Sequence, residues 1–381
     1  MAQGQARTGT MTAASGNGQA IARLTPLTEV LAVADLRVKP VASRAVDMAA
    51  AVGRVLAADA LAKGRPNAAL AMLDGWAMNS NDTLGAGSYA PAVLAHPPQR
   101  VEVGQPMPPD TDSVVPLDAV IVNGARAEIL VTVNSGDGIL PAGGDCDAAI
   151  SMRRAGERLR ATDLAAFAAA GLARVMVREP RVHILPVRGN NIITAAARLV
   201  ASDIDRRGGT TRLEAGRDLA LALVADSADA TIVIGGTGSG RNDTSVQTLA
   251  REGEVGVHGI ALTPGETAAL GFVGQRPVLL LPGRLDAALA VWLVLGRPLL
   301  ARLAGGGDKE PAETATLSRK VASPVGLAEF VPVRRVGDLV EPLAAKYLPL
   351  SALSRADGWI LVPAESEGYP EGAPVLVRAL P

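Results

Sequence analysis

Residues 231–243 contain the groups best suited to hold a charged ligand. An apolar β-branched run leads into a turn with four glycines in six residues that ends on a carboxylate, in the order Gly235, Gly236, Thr237, Gly238, Ser239, Gly240, Arg241, Asn242 and Asp243. Because glycine adopts positive φ angles without strain, such a turn can point consecutive backbone N–H groups into one concavity that accepts a phosphate or oxyanion. A helix after the turn would add the positive end of its dipole. The sequence therefore predicts an anion site, with a tight turn that binds nothing as the alternative.

The spacing of these glycines differs from two common nucleotide motifs. It does not form a G-x-G-x-x-G pattern with a downstream ribose-binding acid, and no lysine follows the last glycine as in a Walker loop. We therefore do not expect nucleotide binding of either kind.

Composition narrows the class of partner. Basic residues (37) and acidic residues (38) nearly balance and form no basic block, so we expect no nucleic-acid partner. Cys146 is the one cysteine, and His96, His183 and His258 are scattered, so no thiolate or zinc cluster is expected. No apolar run approaches the ~18 residues of a membrane span. Residues 1–20 are typical of a disordered leader rather than a signal peptide, so we expect a cytoplasmic protein. The balanced charge favours a small molecule as its partner.

The surrounding pattern indicates the elements that position the turn. Apolar periodicity predicts two helices within residues 26–60, the second over 48–56, and another helix over 161–174. Residues 61–148 consist of short alternating runs separated by glycine-rich turns, which predicts a β-rich region. Beyond Pro180, apolar strands alternate with helices, so we expect a parallel sheet covered on both faces, with the turn at the carboxyl end of a strand. A glycine-rich linker at 305–311 precedes a small β region.

Several motifs make the chain resemble a known family. Leu73-Asp74-Gly75-Trp76-Ala77, the glycine-rich turn and Leu280-Leu281-Pro282-Gly283 are similar to the MDGYA, SGGxSxGxxD and GLPGNP patterns of the molybdopterin molybdenumtransferases, which include the gephyrin E domain. Val103-Gly104-Gln105-Pro106-Met107-Pro108 resembles TGAPVP in that family, and Gly143-Gly144-Asp145 resembles RGED. The motifs occur in the family's order along nearly the whole chain.

The resemblance implies a multidomain fold of α/β and β parts in a homodimer. It implies a helical discontinuous domain at 21–60 and 149–178, with a β-rich domain inserted at 61–148. A parallel-sheet molybdopterin-binding domain would follow at 179–305, and a C-terminal β-barrel-like domain at 306–381. In the family, the loop matching Asp74 meets the glycine-rich turn across the subunit interface.

The chemistry that the resemblance implies is insertion of molybdate into adenylylated molybdopterin with release of AMP. Asp74, Asp145 and Asp243 stand where the family keeps aspartates that matter for activity. Asp243 is the best candidate to hold Mg²⁺, because Mg²⁺ takes a few carboxylate oxygens together with phosphate. A helix cap is the alternative role for Asp243, and a turn-forming role is the alternative for Asp74.

The remaining predicted contacts to molybdopterin or the finished molybdenum cofactor come from two loops. They are Gly235, Gly236, Thr237, Gly238, Ser239, Gly240, Pro282, Gly283 and Arg284.

Departures from the family pattern affect the expected activity. A segment similar to KxAxKPGKP carries no lysine here, because Gly259, Thr263 and Glu266 stand at the three lysine positions. Charged hydrogen bonds of this kind contribute ~1.5–3 kcal/mol each, so insertion should be impaired unless other cations compensate.

Two alternatives follow from the missing lysines. Arg188, Arg241 and Arg284 are candidates to replace the lost charge, although each is also compatible with a solvated surface arginine. A non-catalytic carrier that serves a client molybdoenzyme is the alternative function.

Overall fold

The computed structural model describes residues 19–381 except 188, 226, 308, 309 and 346. The helices of this part are α1 (Leu27–Arg37), α2 (Ala161–Ala169), α3 (Asn191–Arg206), α4 (Leu219–Val224), α5 (Ser245–Glu252), α6 (Leu285–Val291), α7 (Arg297–Leu303) and α8 (Leu350–Arg355). A π turn, Trp292–Gly296, joins α6 to α7, and 3₁₀ turns lie at Met48–Ala50, Ser80–Thr83 and Leu117–Ala119.

The strands are β1 (Ser43–Asp47), β2 (Val55–Leu56), β3 (Leu70–Ala71), β4 (Gly75–Met78), β5 (Ala92–Leu94), β6 (Gln99–Val101), β7 (Ser113–Pro116), β8 (Val120–Asn123), β9 (Arg126–Ile129), β10 (Ile139–Leu140), β11 (Arg174–Arg178), β12 (Arg181–Pro186), β13 (Thr210–Leu213), β14 (Ala230–Ile234), β15 (Glu254–His258), β16 (Leu262–Thr263), β17 (Ala269–Val273), β18 (Arg276–Leu281), β19 (Ala312–Leu317), β20 (Val321–Ala322), β21 (Ala328–Val336), β22 (Leu339–Pro342), β23 (Gly358–Val362), β24 (Gly368–Tyr369) and β25 (Pro374–Ala379).

The chain divides into two compact units. Unit 1 comprises residues up to 43, residues 53–55 and residues 178–381, and unit 2 comprises residues 44–52 and 56–177. Within the part of the chain described above, no helix has both the length and the apolar character to cross a membrane.

A sheet in unit 1 has the strand order β13-β12-β14-β18-β17-β15. The first four of these strands are parallel, whereas β17 pairs antiparallel with β18 and β15 pairs antiparallel with β17. Alternate strand residues face opposite helices: Ile184 and Ile232 share a core with α3 and α6, whereas Leu185 and Val233 pack with α4 and α5. The predicted parallel sheet with two covered faces is therefore confirmed, with an antiparallel extension that the apolar pattern did not indicate.

The C-terminal strands of unit 1 form a closed barrel. They follow the order β21-β22-β19-β25-β23, and β23 pairs back with β21, while β16 joins β21 from outside the ring. Val331, Val333, Ile360 and Val377 fill its interior. The barrel-like C-terminal domain expected from the resemblance is confirmed.

Unit 2 is built mainly from small sheets. β6-β4-β7, β5-β9-β8 and the pair β10-β3 lie between residues 70 and 140, and α2 follows them. The helix predicted over residues 48–56 is wrong. Val55 and Leu56 form β2, which pairs with β11; both side chains are buried, and Leu56 packs in the core around Phe167.

Candidate functional site

The carboxyl ends of β12, β14 and β18 bring three loops together at one edge of the sheet. The strand ends are in register, since Pro186 pairs with Ile234 and Ile234 pairs with Leu281. A β-carbon built on Gly283, after β18, would lie 3.6 Å from the α-carbon of Gly235, after β14. The glycine-rich turn and the Pro282-Gly283 loop are therefore in direct contact, as a shared ligand site requires.

Two of the four glycines in the turn adopt the left-handed conformation. Gly235 has φ 98° and Gly236 has φ 72°, whereas Gly238 and Gly240 do not have positive φ. Gly238 and Gly240 lack a side chain for a steric reason: β-carbons on them would lie 2.8 Å and 3.0 Å from Oδ2 of Asp243. Two of the glycines thus supply the positive φ that the turn was expected to use, and the other two make room for a carboxylate.

Backbone N–H groups of the turn remain available for an acceptor. Among the residues that the structure describes, no acceptor is bonded to the N–H of Thr237, Gly238 or Ser239. Thr237 is buried, whereas Ser239 and Gly240 are exposed. We call residues 236–239 the cradle.

Asp243 lies beside the cradle and is half-buried. Its Oδ2 accepts a hydrogen bond from the N–H of Gly240 at 3.2 Å. In the first turn of α5, the N–H of Ser245 is bonded to the Gly236 carbonyl oxygen, and those of Val246 and Gln247 are bonded to another side chain, so none of the three is left for Asp243 to cap. The carboxylate thus lies next to N–H groups that suit an anion.

The side chain that caps α5 is Gln19. Its Oε1 accepts from the N–H of Val246 at 2.6 Å and of Gln247 at 3.0 Å. Sequence reasoning placed residue 19 in a disordered leader, yet its side chain is buried; the other leader residues up to 18 lie outside the described part of the chain. The Val246 and Gln247 N–H groups at the start of α5, which were expected to attract an anion, are therefore already bonded to Gln19.

The segment that lacks the family's lysines contacts the turn. Oγ1 of Thr237 lies 2.9 Å from Oγ1 of Thr267, and Nε2 of His258 donates to the carbonyl oxygen of Thr237 at 3.3 Å. Burial lowers the pKa of His258, and the hydrogen bond to Thr237 opposes that shift. His258 and Thr267 are neighbours of the site that the sequence did not single out.

Only one of the three lysine positions is open to solvent. Gly259 is buried at φ 93°, and a β-carbon there would lie 2.4 Å from Cγ2 of Ile21. Thr263 is 7% exposed and lies in β16, paired with β21. Glu266 is half-buried, so the accessible position carries a negative charge.

Arg284 is paired but still exposed. Its Nε and Nη2 donate to the carboxylate of Asp286 at 3.1 Å and 2.5 Å, while 58% of its side chain is accessible. The hydrogen bonds to Asp286 raise the pKa of the guanidinium, and attraction to Glu266 adds to this effect. Arg241 is exposed, and Arg188 lies outside the described residues.

The other two predicted aspartates belong to unit 2. Asp74 is exposed, and its Oδ1 accepts at 2.9 Å from the N–H of Val103, so this bond links two separate loops and is not the local turn bond of its alternative role. Asp145 is exposed, and its N–H donates to the carbonyl oxygen of Arg65. Gly75 is required by packing, because a β-carbon there would lie 2.3 Å from the carbonyl oxygen of Val115.

Comparison with known families accounts for most of the chain. Residues 21–171 match the model of the MoeA N-terminal region (domain I and II), residues 214–302 match that described as "Probable molybdopterin binding domain", and residues 314–380 match the MoeA C-terminal region (domain IV). The chain belongs to the MoeA family. The role of this family lies in molybdenum cofactor biosynthesis.

Individual relatives agree with this assignment to the MoeA family. A protein of Methanocaldococcus jannaschii named for molybdopterin biosynthesis is 25% identical over 374 residues, or 88% of this chain and 92% of that protein. Molybdopterin molybdenumtransferase 1 of Mycobacterium tuberculosis is 28% identical over 59% of this chain and 57% of its own length. A crystal structure of MoeA from Pyrococcus horikoshii superimposes with a TM-score of 0.77 at 26% identity, covering 94% of this chain and 99% of that one.

Proposed function

We propose that this MoeA-family chain binds molybdopterin, adenylylated molybdopterin or the finished cofactor at residues 235–243. The observation that supports the proposal is the cradle, whose N–H groups have no acceptor among the described residues and lie beside Asp243. Backbone N–H groups of this kind suit a terminal phosphate. Pro282, Gly283 and Arg284 form the neighbouring wall of the proposed site.

Mg²⁺ fits the donor set as a partly hydrated ion. Within the described residues, no group of three or more His, Cys, Asp or Glu side chains forms a metal cage. Mg²⁺ nevertheless binds through one or two carboxylates when substrate phosphates and water supply the other ligands, and Asp243 offers such a carboxylate. When bound, the ion would neutralise phosphate charge next to the cradle.

Insertion of molybdate is proposed as the reaction, at a reduced rate. Of the family's lysine positions, Gly259 and Thr263 are buried and Glu266 is acidic. Loss of two charged contacts of ~1.5–3 kcal/mol each predicts a deficit of roughly two to four orders of magnitude. Binding should suffer less, because the cradle consists of backbone groups.

The test is a reconstituted reaction with adenylylated molybdopterin and physiological molybdate, run beside a lysine-containing family member. We expect binding within an order of magnitude of that member and insertion far below it. Comparable turnover would mean that other cations have replaced the lysines, in which case Arg284→Ala should remove most of the activity. Absence of molybdopterin binding would refute the proposal.

A carrier that passes the cofactor to a client molybdoenzyme is the second candidate. It is favoured by the combination of an open cradle with no lysine in residues 259–267, since a carrier must hold pterin and phosphate but need not position free molybdate. Purification from a molybdenum-replete host tests it: finished cofactor bound to the protein supports the carrier, and bound adenylylated molybdopterin supports the enzyme. We place either function in the cytoplasm, which fractionation of the host can check.

A further inference from the structure

Gln19 holds the cradle through a complete set of hydrogen bonds. Its Nε2 donates to the carbonyl oxygens of Gly236 and Gly238, both at 2.9 Å, and its Oε1 accepts the two N–H groups of Val246 and Gln247. Both hydrogens and both lone pairs of the carboxamide are therefore used. The residue is only 6% exposed.

The pattern of donors and acceptors shows that Gln19 does not stand in for an anion. A phosphate in its place could accept from Val246 and Gln247, but it would face the carbonyl oxygens of Gly236 and Gly238 with no hydrogen to donate. Both carbonyls would lose a partner, and both would repel the negative charge. The pocket at the start of α5 thus matches an amide.

The carbonyl contacts orient the N–H groups of the cradle. In a trans peptide the C=O and N–H bonds point in opposite directions. Because the Gly236 and Gly238 carbonyls point to Gln19, the N–H groups of Thr237 and Ser239 in the same peptide planes point away from it. These are N–H groups with no acceptor among the described residues.

We propose that Gln19 is a positioning residue for the anion site, which fixes the peptide planes of residues 236–239 so that the Thr237 and Ser239 N–H groups face the ligand. The affinity part of this inference rests on the proposed function, whereas the orientation part does not. Gln19 acts through the loop without touching the ligand.

The test compares Gln19→Met, which keeps the length of the side chain without its hydrogen bonds, with Gln19→Glu, which keeps two oxygens but loses both donors. Gln275→Met is the matched control, because Gln275 is exposed in the β17–β18 turn at the other end of β18. In the full chain without ligand, hydrogen exchange should speed up at least about tenfold for both Gln19 variants at Ser245, whose N–H is bonded to the Gly236 carbonyl oxygen, and for Gln19→Met also at Val246 and Gln247. Exchange in α3 and in the barrel should stay as in wild type.

Molybdopterin binding gives the second readout. We expect both Gln19 variants to bind about ten- to a hundredfold more weakly, with Gln19→Glu the worse and Gln275→Met unchanged. Unaltered exchange in residues 245–247, a uniform increase throughout unit 1, or unchanged affinity with altered exchange would each overturn the inference. If wild type binds no molybdopterin, the proposed function fails while the exchange data still decide whether Gln19 orders the loop.

Discussion

Gly238 is the single position at which a side chain would most directly disturb the proposed site. A β-carbon there would lie 2.8 Å from Oδ2 of Asp243, so Gly238→Val should push the carboxylate away and fill the concavity. We expect molybdopterin binding to fall at least about a hundredfold while the fold persists. Isothermal titration beside circular dichroism measures both.

Gly307→Val is the matched control for that substitution. A β-carbon on Gly307 meets nothing within 4 Å, and the residue is exposed in the linker before the barrel. Equal affinity of a folded Gly238→Val protein and the Gly307→Val control would show that the ligand does not enter the cradle.

Glu266 places a negative charge where the family resemblance implies a lysine. It is close enough to Arg284 to help raise the pKa of that guanidinium, after the larger effect of Asp286. Glu266→Gln should therefore tighten molybdopterin binding several-fold at low salt, and Glu266→Lys should tighten it further and increase insertion. Titrations at low and high ionic strength check this, since screening should shrink the gain.

Glu252→Gln serves as the comparison for Glu266, because it removes an acid at the far end of α5. If it gives the same gain as Glu266→Gln, general charge rather than the position of Glu266 controls affinity.

His258 should give unit 1 a pH-dependent stability. Burial lowers its pKa in the folded state below the usual value near 6.5, so the unfolded chain takes up the proton first as pH falls. Stability should therefore decrease from about pH 6.5 downward until the lowered pKa is passed. Melting temperatures of wild type and His258→Gln between about pH 7.5 and 5.5 isolate this contribution, because His183, whose pKa burial also lowers, is present in both. If the melting temperatures of the two proteins change with pH in parallel, His258 does not make this contribution.

At the scale of elements, a buried ionic network joins α3, the π turn and α7. Asp203 accepts from Nε and Nη2 of Arg297 at 2.7 Å and 3.0 Å and from Nε1 of Trp292 at 2.8 Å. Burial alone would raise the pKa of Asp203, but the bonds from Arg297 lower it overall. Arg297 also donates to Glu310, which precedes the barrel strands.

Breaking this network from one side should be costly. Arg297→Met leaves a buried carboxylate without its main partner, so we expect a loss of ~3–5 kcal/mol in the free energy of unfolding. Arg206→Met removes an exposed arginine 3.7 Å from the same carboxylate and should cost under ~1 kcal/mol. Urea titration followed by tryptophan fluorescence measures both losses. Similar losses would mean that burial does not set the energy of the pair.

How far the sequence predicted these elements depends on how local each signal is. The apolar strands β12, β14 and β18 and the amphipathic helix α3 were predicted because their burial follows directly from residue spacing. Strand β17, which lies between β18 and β15 and has Gly271 at its centre, lacks a strand pattern. Gly271 is there because a β-carbon would lie 2.3 Å from the carbonyl oxygen of Glu254 in β15. Closure of the barrel depends on pairing between β21 and β23, which no local pattern encodes.

Whether a residue of the site could be predicted also depends on how local its signal is in the sequence. Residues 235–243 and Asp243 could be chosen from composition because glycines and an acid lie together in the chain. Gln19 could not, since its partners at Gly236 and Val246 are more than 200 residues away and a lone glutamine carries no signal. Departures from the family pattern were visible, but only the structure shows that Gly259 is closed off by Ile21.

At the scale of the whole molecule, the proposed catalytic groups are divided between the two units. Asp74 and Asp145 belong to unit 2, and the cradle with Asp243 belongs to unit 1. The family resemblance implies a homodimer in which the Asp74 loop of one subunit completes the site of the other. Light scattering should accordingly give twice the chain mass of 38.8 kDa at all working concentrations.

Mixed dimers test whether the site is shared. Asp74→Ala and Gly238→Val should each be inactive alone, because every site then contains one lesion. In a dimer with one chain of each kind, a shared site receives its Asp74 from the Gly238→Val chain and its cradle from the Asp74→Ala chain, so one site is intact. Random pairing should then restore about one quarter of wild-type insertion, assayed at molybdate concentrations that saturate the weak site. If each site is formed within a single chain, both lesions persist in every dimer and mixing restores nothing.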